Sequence, residues 1–382
     1  MGIFDTTGAV CGPFSLTSHR AHWSLPTRRA SLSLSLFPPP PSQTKEANQK
    51  TKCSLFIALF FSLNYPPPLP FTSSSIRLPR PQISREITGH KKKVHSVAWN
   101  VTGRKLASGS VDQTARVWDV EHGVLSGKEL ELKGHSDSVD QLCWDPTSGD
   151  RLATASADKS VRVWDIRGGS KCAASVATSG ENINVTWSPD GNTIAVGNRD
   201  DVISFIDTRK HKVIKTTKFP FEVNEIKWDK SGKTFYLTTG LGTVEVMSFP
   251  KMTTLHTLQA HTAGCYCIEF DPINKHFAVG SADALVSLWD LSESACIRTF
   301  SRLEWPVRTL SFSHDGAYLA SASEDLSIDI AEVETGECAH KLPVRAAMNS
   351  VAWSPTEYLL AYAGDDKVEG SIRIWGVPRK EV

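Results

Sequence analysis

No stretch of this chain is apolar enough to cross a bilayer as a helix. The densest run, LFIALFFSL at Leu55–Leu63, is too short and leads at once into prolines. It also starts too late for an ordinary secretory signal. The eight cysteines are scattered, and none forms a paired CxxC set. That excludes a disulfide scaffold and a zinc ribbon, and it fits a reducing compartment. Cys265 and Cys267, the one close pair, fall at i and i+2 of GCYCIEF. On a strand they share a face, so they read as small packed residues. A glycine-rich phosphate loop and a metal-ligand cluster are also missing, so no cofactor and no metal are expected.

Net charge is nearly absent too, at +1 for 382 residues, but it is unevenly spread. Residues 1–80 hold eight Lys/Arg against two acids, and the rest holds 34 against 39. A mildly acidic body is a poor match for a phosphate backbone, so direct strong nucleic-acid binding by it is not expected. Eleven of the 21 prolines also lie before residue 81, in segments such as SLSLSLFPPPPSQ and NYPPPLPF. Proline fixes φ and removes backbone donors. Residues 1–80 therefore read as a disordered extension, with a weak likeness to an organelle transit peptide in the Ser- and Arg-containing first 36.

What is present is a repeat. Apolar triplets ending in an aromatic recur at Trp99, Trp144, Trp187, Trp228, Phe270, Phe312 and Trp353, at spacings of 45, 43, 41, 42, 42 and 41. A second series follows in phase: VWD at Asp119 and Asp165, FID at Asp207, VMS at Ser248, LWD at Asp290, IAE at Glu332 and IWG at Gly376. Inside each unit apolar residues alternate, which is strand periodicity. Turn signals such as SPDG at 188–191 and SHDG at 313–316 separate the runs. Units of about 42 residues with four short strands are propeller blades. The expectation is an all-β, seven-bladed β-propeller over residues 81–382. After Trp375 too little chain remains for another strand, whereas ISREITGH matches the outer-strand segments KELELKGH and TLHTLQAH. Ile83–Thr88 should therefore close the last blade and remove the open seam.

The motif from Gly89-His90 to Trp118-Asp119, repeated from Gly134-His135 to Trp164-Asp165, resembles the WD-repeat (WD40) family. That resemblance implies a structural strut in which His, Ser/Thr, Asp and Trp bond to one another. His90, Ser108, Asp112 and Trp118 fit it, as do His135, Thr154, Asp158 and Trp164. The same residue types suggest a Ser-His-Asp hydrolase, but a repeat array must repeat its struts, whereas enzymes rarely duplicate an active site. No catalytic residue is expected. Blade 5 has His261, Asp283 and Trp289 but Val279 at the hydroxyl position; blade 6 has Leu303 and Ile330 at the His and Trp positions. Blades 3, 4 and 7 lack the GH and should rely on packing and ladder bonds.

Family resemblance places partner contacts at the start of each innermost strand. Carried over, these are Lys93, His95, Asp140, Asn182, Glu222, Asn224, Tyr266, Arg308 and Asn349, with Glu324 similarly placed and Trp305 the best anchor. Lys91–Lys93 is either a short nuclear-import signal or a solvated turn. Segments from all seven blades, among them GHKKKVHSVAWN, SGENINVTW, TTGLGTVEV, LEWPVRTLSF and LLAYAGDDK, are similar to the THO complex subunit 3 family. That resemblance implies a nuclear, non-catalytic scaffold in the THO/TREX complex, serving mRNA processing and export. Its partners would be the helical THO subunits and, through them, an RNA helicase and mRNA. A competing resemblance is the WDxR box of cullin-RING substrate receptors in LATASADKSVRVWDIR, with Asp158, Trp164, Asp165 and Arg167 as its key positions.

Overall fold

The computed structural model describes residues 83–377, except Lys128 and residues 367–369. Residues 1–80, expected to be an extension, lie outside the described residues. The described chain forms seven antiparallel sheets arranged as consecutive blades. From channel to rim, blade 1 runs Val94–Trp99, Lys105–Ser110, Thr114–Glu121 and Leu130–Lys133, with Val124–Leu125 pairing the far end of the third strand. The other blades have four strands each. The repeat forces this outcome, because alternation gives every blade two apolar faces that only neighbouring blades can cover.

Seven apolar clusters fill the seven seams. The cluster between blades 1 and 2 contains Val117, Leu142, Trp144, Leu152 and Trp164; the one between blades 4 and 5 contains Tyr236, Val246, Ile268, Phe277 and Trp289. Tryptophans ending the inner strands also bond across seams. Trp144 Nε1 donates to Ala98 O at 2.9 Å and Trp99 Nε1 donates to Ala352 O at 3.0 Å.

Closure follows the expectation. Ile83–Ile87 pairs antiparallel with Ile372–Val377, from Ile83 opposite Gly376 to Ile87 opposite Ile372. Blade 7 is thus built from both ends of the propeller. Ile87 is 4% exposed, in the same cluster as Val94, Trp99, Leu359 and Ile372. Arg373 adds a polar tie from the third strand to Glu86 of the closing strand, Nη2 to Oε1 3.0 Å.

Two sets of β-bulges recur. On the outer strands of blades 2 to 6 the register skips Ala173, Ile214, Leu255, Ile297 and Ala339. A bulge interrupts the free row of N–H and C=O groups that would otherwise invite edge-to-edge pairing. The inner strands carry the second set, which shapes the channel mouth.

Ile87→Ala should destabilise the propeller by about 2–5 kcal/mol, the range for truncating a buried aliphatic side chain. Urea denaturation read by tryptophan fluorescence checks this. Proteolysis should then cut first near residues 83–90.

Candidate functional site

Three blades carry a histidine-centred strut. In blade 2, Trp164 Nε1 donates to Thr154 Oγ1 at 3.0 Å; the threonine hydroxyl reaches His135 Nε2 at 2.7 Å; His135 Nδ1 meets Asp158 Oδ2 at 2.8 Å. The chain of donors assigns the tautomer: Nδ1 carries the proton and Nε2 accepts. In blade 1, His90 lies 2.6 Å from Ser108 Oγ and 2.9 Å from Asp112 Oδ2, and its ring meets Trp118 edge-on at 5.9 Å. Glycine before the histidine has a steric reason. Gly134 has φ +150°, and a Cβ there would meet the Arg162 guanidinium at 2.5 Å.

Burial sets the electrostatics. Burying the Asp112 carboxyl would raise its pKa, but hydrogen bonds from His90, Thr114 and the Lys91 amide outweigh that and hold it well below the usual range. Asp158 is lowered in the same way, with burial opposed by bonds from Ser160 and His135. Burial pushes His135 below its ordinary 6.5, against the pull of Asp158. Ser108 and Thr154 are both 0% exposed, so no substrate can reach either hydroxyl in the folded chain.

Blade 5 completes its strut by a route that Val279 concealed. Ser287, on the third strand, lies 2.8 Å from His261 Nε2 and accepts from Trp289 Nε1 at 2.8 Å, while His261 Nδ1 meets Asp283 at 3.1 Å. Ser287 stands two residues before the tryptophan, on its face of the strand. The remaining blades hold polar clamps as well as packing. Blade 3 buries Asn182 and Asn198. Blade 4 pairs Thr239 with Thr243 at 2.8 Å. In blade 6, Arg302 forks onto Asp329 at 2.7 and 2.8 Å, and Asp325 accepts the Glu304 and Trp305 amides.

At the channel mouth, inner-strand bulges re-aim one residue per blade. The register skips His95, Asp140, Ile183, Asn224, Tyr266 and Asn349 in blades 1–5 and 7; Arg308 precedes the shorter inner strand of blade 6. Five of the expected contact positions are thus bulge residues. Asn182 is not: it is 1% exposed, its amide donates to Ser156 O and Ser160 O, and its neighbour Ile183 holds the equivalent place. A partner cannot reach Asn182.

Many of the others bond within the ring. His95 Nδ1 meets Asp140 at 3.2 Å, Asn224 donates to Cys265 O at 3.0 Å, and Asn349 donates to Asp365 at 2.9 Å, as does Lys93 at 2.7 Å. Arg308 pairs with Glu324. Among the described residues, the Trp305 indole, the Tyr266 hydroxyl and the Glu222 carboxylate have no hydrogen-bond partner, and all three residues are exposed. Trp305 is 53% exposed and Tyr266 40%; the turn residues Leu241 and Leu326 reach 69% and 64%. The open part of this face therefore belongs to the turns of blades 4–6, which expose these apolar residues together with Glu222, Glu304 and Glu324.

Below the mouth, Gln141 clasps three blades across the channel, donating to Glu225 at 2.9 Å and accepting from the Val185 amide. Burial raises the Glu225 carboxyl. The adaptor-box residues are divided. Asp158 and Trp164 belong to the strut, while Arg167 forks onto Asp165 in a short 3₁₀ turn at the opposite end of the blade. That turn is about 20 Å from the Asp158 turn, one strand length away.

Comparison with known proteins adds the following. The THOC3 beta-propeller domain family matches residues 90–363. THO complex subunit 3 of Arabidopsis thaliana is 64% identical over 300 residues, spanning 77% of this chain and 95% of that protein. WD repeat-containing protein AAC3 of Dictyostelium discoideum is 38% identical over 320 residues, 77% of this chain and 66% of that protein. A WD repeat-containing protein 26 homolog from Arabidopsis thaliana is 29% identical over 308 residues, 78% and 51% respectively.

Two outcomes test the strut account. Ser287→Ala should lower stability by about 1–3 kcal/mol, because it strands the Trp289 Nε1–H donor and takes the hydroxyl donor from the His261 Nε2 acceptor; thermal melting reads it. His135 contributes fully above its ordinary 6.5, and the contribution fades as pH falls through that value, since the unfolded chain takes up its proton first. The melting temperature should therefore fall between pH 7 and 5, and less steeply in His135→Gln.

Proposed function

The chain belongs to the THOC3 β-propeller family, and on that premise we propose that it is the propeller subunit of a THO complex. It acts as a scaffold that binds other proteins and performs no chemistry itself. The observation that carries this reading is the 64% identity to a THO complex subunit 3 across 95% of that protein, atypical blades included. A repeat match alone would name only a fold. The burial of Ser108 and Thr154 supports the absence of catalysis, since the serine- and threonine-containing triads serve the blades.

In this reading the partners are the helical THO subunits. An RNA helicase and mRNA join through them, and the protein works in the nucleus on mRNA processing and export. The contact surface is the turn face of blades 4–6. Trp305 and Tyr266 are the anchors, with Leu241 and Leu326 beside them. Interface energy concentrates in such exposed aromatics, whereas His95, Asn224 and Asn349 already bond across blade seams.

Tagged protein captured from nuclear extract with nuclease present should retain the helical subunits, identified by mass spectrometry. Trp305→Ala together with Tyr266→Ala should reduce that recovery at least tenfold with the melting temperature unchanged. Recovery of a cullin adaptor instead, abolished by Arg167→Ala, would move the reading to ubiquitin ligation.

A further inference from the structure

From residue 81 onward acids outnumber bases, yet one segment runs the other way. Arg209–Lys218 reads RKHKVIKTTK, with five lysines and arginines, one histidine and no acid. It forms the turn and the outer strand of blade 3, on the rim. Six consecutive residues, Arg209 to Ile214, are exposed, as is Lys218. Among the described residues, none of Arg209, Lys210, Lys212 and Lys218 has a carboxylate within ion-pairing distance. Lys93, Arg116, Arg302 and Arg373, in contrast, are all paired. The nearby Asp207 caps the turn, its Oδ1 accepting the Arg209 and Lys210 amides at 2.9 and 2.8 Å, and its one negative charge offsets part of theirs without forming an ion pair.

The bulge at Ile214 concentrates this charge. Lys215 lies opposite Phe205 and Lys212 opposite Asp207, so the skipped residue brings both lysines to one face of the strand. Phe205 packs on Trp228, Phe235 and Phe249 of blade 4, which orients that face toward blade 4. Lys215 Nζ donates to Pro250 O at 2.7 Å and to Lys251 O at 2.9 Å. Lys212 and Lys215 therefore lie at the rim notch between blades 3 and 4, where Lys251 adds another cation, while Lys218, opposite Val202, falls on the other face of the strand.

We propose that this strip binds the phosphodiester backbone of a single-stranded nucleic acid, weakly and without sequence preference. A protein partner is poorly served here. The apolar surface amounts to Val213 at 37% and Ile214 at 55% exposure, with no aromatic anchor, and the bulge opposes addition of a strand at the edge. Base reading is equally unsupported, because the segment offers no Phe, Tyr or Trp, and a single imidazole, His211, makes no platform for successive bases. What it offers is a net excess of positive charge along about 20 Å of strand, five cations against the single carboxylate of Asp207, which a flexible polyanion can follow over a convex rim. The acidity elsewhere does not cancel it, since exposed charges beyond about 8–10 Å are screened at physiological salt.

The test uses full-length protein and a fluorescein-labelled 20-nucleotide oligouridylate, with anisotropy measured from about 50 to 200 mM salt. Residues 1–80 carry eight bases of their own, so the comparison is between full chains that differ only in the strip. Replacing Arg209, Lys210, Lys212 and Lys218 by glutamine should weaken binding at least tenfold at low salt. It should also make the log–log salt slope shallower by about 2.8, the contribution of four neutralised phosphates on a single strand. The melting temperature should not change, and Lys91→Gln with Lys92→Gln, on the turn face, should leave binding intact. A deoxy oligomer should bind alike. An unchanged affinity and slope in the four-glutamine variant, or no binding by the wild type, would overturn the proposal. Tighter binding of a polyglutamate of equal charge would reassign the strip to an acidic protein.

Discussion

A four-stranded blade with apolar residues on both faces cannot be stable alone, and everything else in this molecule depends on that. Each face must be covered by a neighbour, so the blades continue until the ring closes. The seventh seam differs from the others only in provenance: Ile83 and Ile87 come from one end of the propeller, Leu359, Ile372 and Ile374 from the other. Closure therefore couples the two ends and leaves no blade face open. With the seams packed, the turns at either end of each blade are held in fixed positions around the channel. A binding surface made of turns is then as rigid as the sheets beneath it.

Burial on both faces imposes a second demand, that polar groups inside the blades find partners. Blades 1, 2 and 5 meet it with a histidine between a hydroxyl and a carboxylate. Blade 6 uses an Arg302–Asp329 fork, and blade 3 uses buried asparagines. These solutions differ in what they leave at the surface. Around blades 1, 2 and 7 the mouth residues bond to one another across seams. Around blades 4–6 a tryptophan, a tyrosine and two leucines remain exposed. The ring is thus nearly symmetric in its packing and asymmetric in the surface it offers, and a scaffold that must choose a partner needs such an asymmetry.

The fold was legible because alternation, turn residues and a 41–45-residue spacing all point the same way. The closing strand was legible as well, since ISREITGH carries the pattern of the other outer strands. Finer features were lost where one residue shifts the register. The blade 3 bulge falls on Ile183, and an alignment by residue type selects the neighbouring Asn182, which is buried. Ser287 is invisible to a motif that places the hydroxyl on the second strand; the third strand reaches the same histidine from its own side. The VSLWD spelling, with serine two before tryptophan, held that signal. The basic rim was hidden by averaging: an acidic total of 39 against 34 says nothing about ten residues on one edge. The side-chain clamps of blades 3, 4 and 6 have no shared spelling, so only the folded arrangement brings their members together.

The central claim is that the turn face of blades 4–6 joins this propeller to the other THO subunits. Hydrogen–deuterium exchange on the protein alone and on the reconstituted complex tests it directly. The account predicts new protection in the turns at residues 240–242, 262–266, 301–308 and 323–326, with the opposite face unchanged. Protection confined to the opposite face, or to the turns of blades 1 and 2, would contradict it.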